Sequence, residues 1–164
     1  MSISLNKSSP NNFELYIPLL PGCSSLDSSR SIMLNIHNVV IPGIANNSTE
    51  HAFMGSNIFF GGTVNFSEWT ISFIIDENFE NWQYLYNWLM LIFDKKENFN
   101  ANCDDYSIDM TLNIVNNFKK TVLKLKFVGA FIFSLGDVTL SYRDNASIVE
   151  SEASFYYRYY EIIN

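Results

Sequence analysis

The chain has 164 residues, 48% hydrophobic and 16% aromatic, so burial of apolar surface can offset the entropy of ordering one domain. Its formal net charge of −7 argues against a nucleic-acid-binding protein, because a surface that binds phosphates needs clustered lysine and arginine. No apolar run approaches the ~18 residues that span a bilayer, so we expect a soluble protein made in the cytoplasm, with no membrane partner.

The sequence predicts mainly β-strands in the first half of the chain. Residues 1–11 are polar and are predicted to form a mobile arm, and residues 12–164 are predicted to form a single domain. Short alternating runs separated by Gly, Pro, Asn and Ser are typical of strands. The predicted strands are Phe13–Pro18, Ile32–Ile41, Phe53–Phe60, Val64–Phe66 and Trp69–Ile75, with a Ser-rich loop at Gly22–Arg30 and a hairpin turn at Gly61-Gly62.

One segment, from Asn78 to about Phe93, has the apolar period of an amphipathic helix. Asp76 or Asn78 can cap its N-terminus. Three further apolar side chains, Trp88, Met90 and Leu91, point away from the main apolar stripe. A helix this apolar must be covered on more than one side, so these three are predicted to contact a neighbouring subunit, with deep burial in the same subunit as the alternative.

Alternating strands return after the helix. In Ser107–Val115, apolar residues occupy one face, while Asp109, Thr111 and Asn113 occupy the other. The remaining predicted strands are Thr121–Val128, Asp137–Tyr142 and Glu152–Ile162. The last of these places Tyr156 and Tyr160 on the face opposite Phe155, where we expect a subunit interface. The whole pattern predicts a mainly β (α+β) fold, an antiparallel β-barrel or sandwich with one inserted α-helix.

No arrangement of residues suggests catalysis, a cofactor or a metal ion. His37 alternates within a strand, His51 lies in a polar loop, and Cys23 and Cys103 have no metal-ligand spacing and are expected to be reduced thiols. The acidic pairs Asp76-Glu77 and Asp104-Asp105 are explained by helix capping and by a turn. We therefore expect no enzyme. A small-ligand-binding β-barrel lined by Trp69, Trp82 and Trp88 remains an alternative.

Four stretches, taken in order, carry a resemblance to a known family. They are Phe13–Ile17 with Val39–Ile44, then Gly61–Phe73, then Asp76–Trp82 continuing to Tyr86-Asn87-Trp88, and finally Phe127–Phe131 with Leu135–Val138 and the closing strand through Tyr160. In this order they resemble the tail tube family of contractile-tailed bacteriophages, whose fold is shared by type VI secretion tube proteins and by baseplate proteins that initiate the tube.

The resemblance implies a structural virion protein that forms stacked hexameric rings around an acidic channel for DNA ejection. Its partners would be copies of itself, the tail sheath, baseplate or neck proteins, and the viral DNA and tape-measure protein that pass without specific binding. Assembly would take place in the host cytoplasm. Candidate channel-facing residues are Asp109, Thr111 and Asn113. A tube-fold baseplate initiator or a neck or terminator ring is the alternative.

Overall fold

A computed structural model describes residues 11–19, 32–97, 106–142 and 148–163. Several sequence-based predictions lie outside these ranges: residues 1–10 of the arm, the loop Gly22–Arg30, both cysteines and the pair Asp104-Asp105.

Within the described ranges the chain forms nine strands and one long helix. The strands are β1 (Phe13–Tyr16), β2 (Ile36–Val39), β3 (Ile44–Phe53), β4 (Ser56–Phe66), β5 (Trp69–Ile74), β6 (Ile108–Val115), β7 (Thr121–Leu135), β8 (Glu150–Tyr156) and β9 (Tyr159–Ile163), and the helix α1 is Glu80–Glu97. A short helical segment at residues 32–35 precedes β2. All strand pairings are antiparallel, which confirms the predicted mainly β class.

The long strand β7 joins two layers of one seven-stranded sheet. Its first part pairs with β6 on one edge and with β9 on the other, so that β1, β6, β7 and β9 form the first layer. Its last residues pair with β8, which leads through β5 to β2 and forms the second layer. Gly129 lies at the change of partner with a φ of 63°, a left-handed conformation that favours glycine.

Aromatic side chains fill the space between the two layers. The Trp69 ring, from the second layer, stacks on Phe127 of β7 with ring centroids 4.0 Å apart and an interplanar angle of 5°. Both side chains are fully buried, as is Phe155, which packs against Trp69. The apolar residues Ile108, Met110 and Leu112 of β6 also face this core, as the alternation of that strand predicted.

Helix α1 closes one side of the core, and this corrects one interface prediction. Trp88 has 0% of its surface exposed, its ring contacts Phe155, and its Nε1 donates a hydrogen bond to the Tyr106 carbonyl at 2.8 Å. Its side chain is therefore covered by its own protomer and offers no surface to a neighbour. Met90 and Leu91 are half-buried, and their predicted interface role stays a prediction.

Several predicted boundaries were wrong. Residues 32–35 are helical, where a strand from Ile32 was predicted. Residues 137–142 are not a strand, and the predicted final strand breaks at Tyr157-Arg158 into β8 and β9. The hairpin turn lies at Met54-Gly55 and not at Gly61-Gly62, through which β4 runs uninterrupted.

The start of α1 is held by side-chain hydrogen bonds. Asp76 Oδ1 accepts the Glu80 N–H at 2.7 Å, which confirms Asp76 as a cap. Asn81 is fully buried, and its Nδ2 donates to the Ile74 carbonyl at 2.8 Å. These bonds tie the end of β5 to the first turn of the helix.

We expect Asp76→Ala to lower the free energy of unfolding by about 1 kcal/mol, the usual effect of removing an N-cap. Asn78→Ala is the matched control, since Asn78 was the other predicted cap and is exposed. Urea unfolding of both variants checks this, and equal destabilisation would contradict the assignment of the cap to Asp76.

Candidate assembly surfaces

A long hairpin extends from the layered core. Strands β3 and β4 pair with each other and form a two-stranded sheet of their own. Every residue from Ile44 to Asn65 is exposed. Ten residues of strand span about 33 Å, so the hairpin reaches well beyond the core. An isolated two-stranded hairpin is only marginally stable in water, which indicates that contacts outside the two strands stabilise this one.

Both faces of the hairpin carry exposed apolar side chains. The strand register places Ile44, Phe59 and Val64 on one face and Phe53, Ile58 and Phe60 on the other, and all six are exposed. Met54, at the turn, is 92% exposed. Between Ile44 and Phe66 the sequence has no Lys or Arg, and Glu50 is its only acid. Apolar surface exposed on this scale is typical of a protein–protein interface.

A bulge bends the hairpin in its middle. The register shifts so that Gly62 and Thr63 of β4 lie opposite the single residue Asn47 of β3. The Gly62 N–H donates to Asn46 Oδ1 at 3.1 Å. A Cβ at Gly62 would lie 2.0 Å from the Asn47 carbonyl oxygen, so only glycine fits there. The glycine pair therefore forms a bulge, and the prediction of a turn at this pair was wrong.

Two tyrosines fix the base of the hairpin to the core. The Tyr157 hydroxyl donates to the Ser67 carbonyl at 2.6 Å, and the Tyr160 hydroxyl donates to the Pro42 carbonyl at 3.1 Å. The ring of Phe66 meets both tyrosine rings edge-on, with centroids 6.0 Å and 5.6 Å away. We call Tyr157 and Tyr160 the tyrosine anchor. Burial, together with the nearby Tyr160, raises the pKa of Tyr157 to about 12.

The two tyrosines predicted to lie at an interface differ in their surroundings. Tyr160 was predicted to face a neighbour, but its hydroxyl binds the hairpin base of its own protomer. Tyr156 is 47% exposed and stacks on Phe133 with ring centroids 3.9 Å apart, and its predicted contact with another subunit stays a prediction.

The predicted channel-facing residues lie on the outer face of the first layer. Asp109 is exposed there, with Thr111 and Asn113 half-buried beside it on the same face. Asp109 forms an ion pair with Lys126 at 2.8 Å and accepts the Gly129 N–H at 3.0 Å. The hydrogen bond from Lys126, more than any other interaction, lowers the pKa of Asp109. This face therefore carries basic as well as acidic side chains.

The other candidate sites are ordinary structural positions. His37 Nε2 lies 3.7 Å from a Glu150 carboxylate oxygen, and His51 lies in β3, where a polar loop was predicted. Trp69 and Trp88 are fully buried against other side chains, so neither lines an open ligand pocket. In the part of the chain that the structure describes, no group of acidic, His and Cys residues is placed to hold a metal ion. The helices among those residues include none long and apolar enough to cross a membrane.

Comparison with known proteins gives a family and a fold. The family model for phage tail tube protein matches residues 8–163. No curated protein matches the sequence. Among solved structures, the PVC sheath/tube terminator of an extracellular contractile injection system is similar, at 12% identity and a TM-score of 0.69, over 99% of this chain and 100% of that one.

Two more solved structures have the same fold. The tube-terminating cap of the anti-feeding prophage matches at 12% identity and a TM-score of 0.68, over 99% of this chain and 95% of that one. The PVC sheath–tube complex matches at 13% identity and a TM-score of 0.64, over 98% of this chain and 93% of that one.

We expect Gly62→Ala to disrupt the hairpin and leave the core intact, because the new Cβ meets the Asn47 backbone. Gly61→Ala is the matched control, since its nearest neighbour is the flexible Asn46 amide at 3.4 Å. Amide hydrogen exchange should accelerate across β3 and β4 in Gly62→Ala alone, with β6 and β7 unchanged in both variants. Equal exchange in the two variants would contradict the bulge.

We expect Tyr157→Phe to be less stable than wild type at pH 8, because it loses the hydrogen bond to Ser67. The folded pKa of Tyr157 lies above the ordinary value of 10.0, so wild type loses this advantage as the pH rises from 10 to about 12. Urea unfolding should show that the difference in free energy of unfolding between wild type and Tyr157→Phe is smaller near pH 11.5 than at pH 8. Tyr142→Phe, at a fully exposed position, should show no gap at pH 8.

Proposed function

This chain belongs to the phage tail tube protein family, and we propose that it is a subunit that stacks in hexameric rings to form a tail tube. The family and the fold are those of structural tube proteins. Beyond the family and the fold, we propose that the chain forms a ring, that the rings stack, and that they lie in the tail of a virion.

The exposed apolar hairpin is the observation that carries the proposal. Its side chains Phe53, Phe59 and Phe60 are all more than half exposed, which is costly for a protein that stays monomeric. A second copy of the chain is the occupant we assign to it. Stacked rings would bury both faces of every hairpin, because each hairpin would lie between copies. The tyrosine anchor would hold the hairpin in position for that contact.

Open strand edges support ring closure. In the described chain, β1, β2 and β9 of the seven-stranded sheet each pair on one side only. Unpaired backbone N–H and C=O groups at such edges favour the addition of another strand. In a closed ring with cyclic symmetry every copy makes the same contacts, so a strand pairing made at one junction is repeated at all of them.

The proposed bore would pass viral DNA and the tape-measure protein without binding either one. A net charge of −7 supports this, since an acidic wall repels phosphate. Sheath, baseplate or neck proteins would contact the outside and the ends of the tube. A tube-fold baseplate initiator or a neck or terminator ring is the second candidate, in which the hairpin would contact an unlike neighbour.

Electron microscopy of the purified protein, with its mass in solution, tests the proposal. We expect hollow tubes of uniform width. Phe59→Ser with Phe60→Ser should abolish stacking, because these side chains lie on opposite faces of the hairpin. Thr63→Ser with Asn65→Ser is the matched control, because it changes two exposed polar side chains of the same strand and should still form tubes.

Three outcomes are informative. Six-fold rings that do not stack would favour the initiator or terminator role. A monomer whose state is the same with and without the two phenylalanines would contradict assembly through the hairpin. Tubes formed equally well by the Phe59 and Phe60 variant would place the stacking contact elsewhere.

A further inference from the structure

We propose that the outer face of the second layer, formed by β2, β5, β8 and the end of β7, lines the bore. This inference rests on the proposed tube. It assigns the wall to a different face from the one that carries Asp109, Thr111 and Asn113, and it names the occupant as double-stranded DNA that passes without binding.

Strand register defines the side chains of this face. Thr70, Ser72 and Ile74 of β5 lie opposite Ser154, Glu152 and Glu150 of β8. The side chains that alternate with them in β5 are fully buried and point into the core: Trp69, Ile71 and Phe73. The part of the outer face formed by β5 and β8 is therefore mostly polar and carries two carboxylates, with Ile74 among them and Tyr156 stacked on Phe133 at its end.

Hydrogen bonds hold these polar side chains to one another. The Thr70 and Ser154 hydroxyl oxygens are 3.1 Å apart, and the Ser72 hydroxyl donates to Glu152 Oε1 at 3.4 Å. Ser151 donates its hydroxyl proton to the Gly136 carbonyl at 3.1 Å, which holds the chain after β7 against β8. Polar groups that are hydrogen-bonded to one another within this surface have fewer hydrogen bonds to offer a passing polymer.

The two outer faces differ in the charges of their side chains. The second layer carries Glu150 and Glu152, with Asp137 beside them on the same open groove. His37 is the nearest group that can become cationic, 3.7 Å from Glu150. No Lys or Arg lines this groove among the described residues. Phosphate approaching this face therefore meets carboxylates and hydroxyls.

The outer face of the first layer carries both signs of charge, because Glu161 lies opposite Lys126 and Asp109 forms an ion pair with it. Lys124 and Lys126 stand on it in register with Asn113 and Thr111 of β6. Phosphate contacts from lysine supply most of the non-specific affinity of proteins for DNA. Six copies of this face would present lysines as well as carboxylates to the DNA backbone, whereas six copies of the second layer would present carboxylates without Lys or Arg among the described residues.

Strand edges allow the second layer to form a continuous wall. Its terminal strand β2 pairs with β5 alone. At its other end, β7 pairs with β6 up to Ala130, so the far edge of the residues after Ala130 is open in the described structure. Pairing of these two edges between neighbouring copies would join the layers around a ring.

Matched cysteine variants test the assignment. Glu152→Cys and Glu161→Cys each replace an exposed glutamate in a strand, the first on the second layer and the second beside Lys126 on the first layer. Both are made in a background in which Cys23 and Cys103 are replaced by serine. Assembled tubes are labelled with a small maleimide carrying a gold cluster, and the radial position of the gold is measured by electron microscopy.

We expect gold on Glu152→Cys tubes closer to the axis than gold on Glu161→Cys tubes, by at least about 10 Å, the spacing of packed sheets. The reverse order, in tubes that form normally, would overturn this inference and leave the tube intact. Absence of both rings and tubes would instead remove the proposed function, and this inference with it.

A charge reversal gives an independent readout. Glu150→Lys with Glu152→Lys should make tubes that retain nuclease-protected DNA when assembled in its presence. Glu161→Lys tubes should retain none, because DNA bound outside is digested. Protected DNA in the Glu161→Lys tubes alone would assign the bore to the first layer.

Discussion

The stack of Trp69 on Phe127 is the contact on which the rest of the structure depends. It joins β5 to β7, two strands that do not pair, and so holds the two layers together. Both rings are fully buried, and burial of large aromatic surfaces is among the strongest contributions to a small core. Because β7 belongs to both layers, this one contact also sets how they face each other.

The same ring connects the core to the hairpin. Phe127 contacts Tyr157 at 5.2 Å and Tyr160 at 5.5 Å between ring centroids, and these are the residues of the tyrosine anchor. Their hydroxyls reach the backbone on both sides of the hairpin base. The direction of the exposed hairpin is thus determined by the packed interior. The hairpin has almost no core of its own, so it can present a fixed surface to a partner only if its base is held in this way.

The two layers share a core but differ in what they show outside. One outer face combines lysines with carboxylates, including the pair of Asp109 and Lys126. The other shows carboxylates and mutually bonded hydroxyls. In a ring the two faces of a layered subunit necessarily meet different surroundings, since one faces the axis and the other faces outward. This difference in charge is the physical basis for telling them apart.

Part of this fold could be read from the residues in order. Strict alternation in β6 correctly assigned Ile108 and Met110 to the core and Asp109 to the outside, because a half-buried strand leaves a period of two in the sequence. The apolar period of α1 and its cap at Asp76 were equally readable, because both are local. The mainly β class and the family resemblance followed from these local signals.

Tertiary structure decided the rest. The strand β3 was missed because its residues are exposed on both faces, so neither burial nor alternation marks it, and only its pairing with β4 makes it a strand. Trp88 was expected at an interface because its cover, Phe155 and the Tyr106 carbonyl, comes from distant parts of the sequence. Local periodicity reports which side chains seek burial, but which surface buries them depends on long-range contacts that only the folded chain contains.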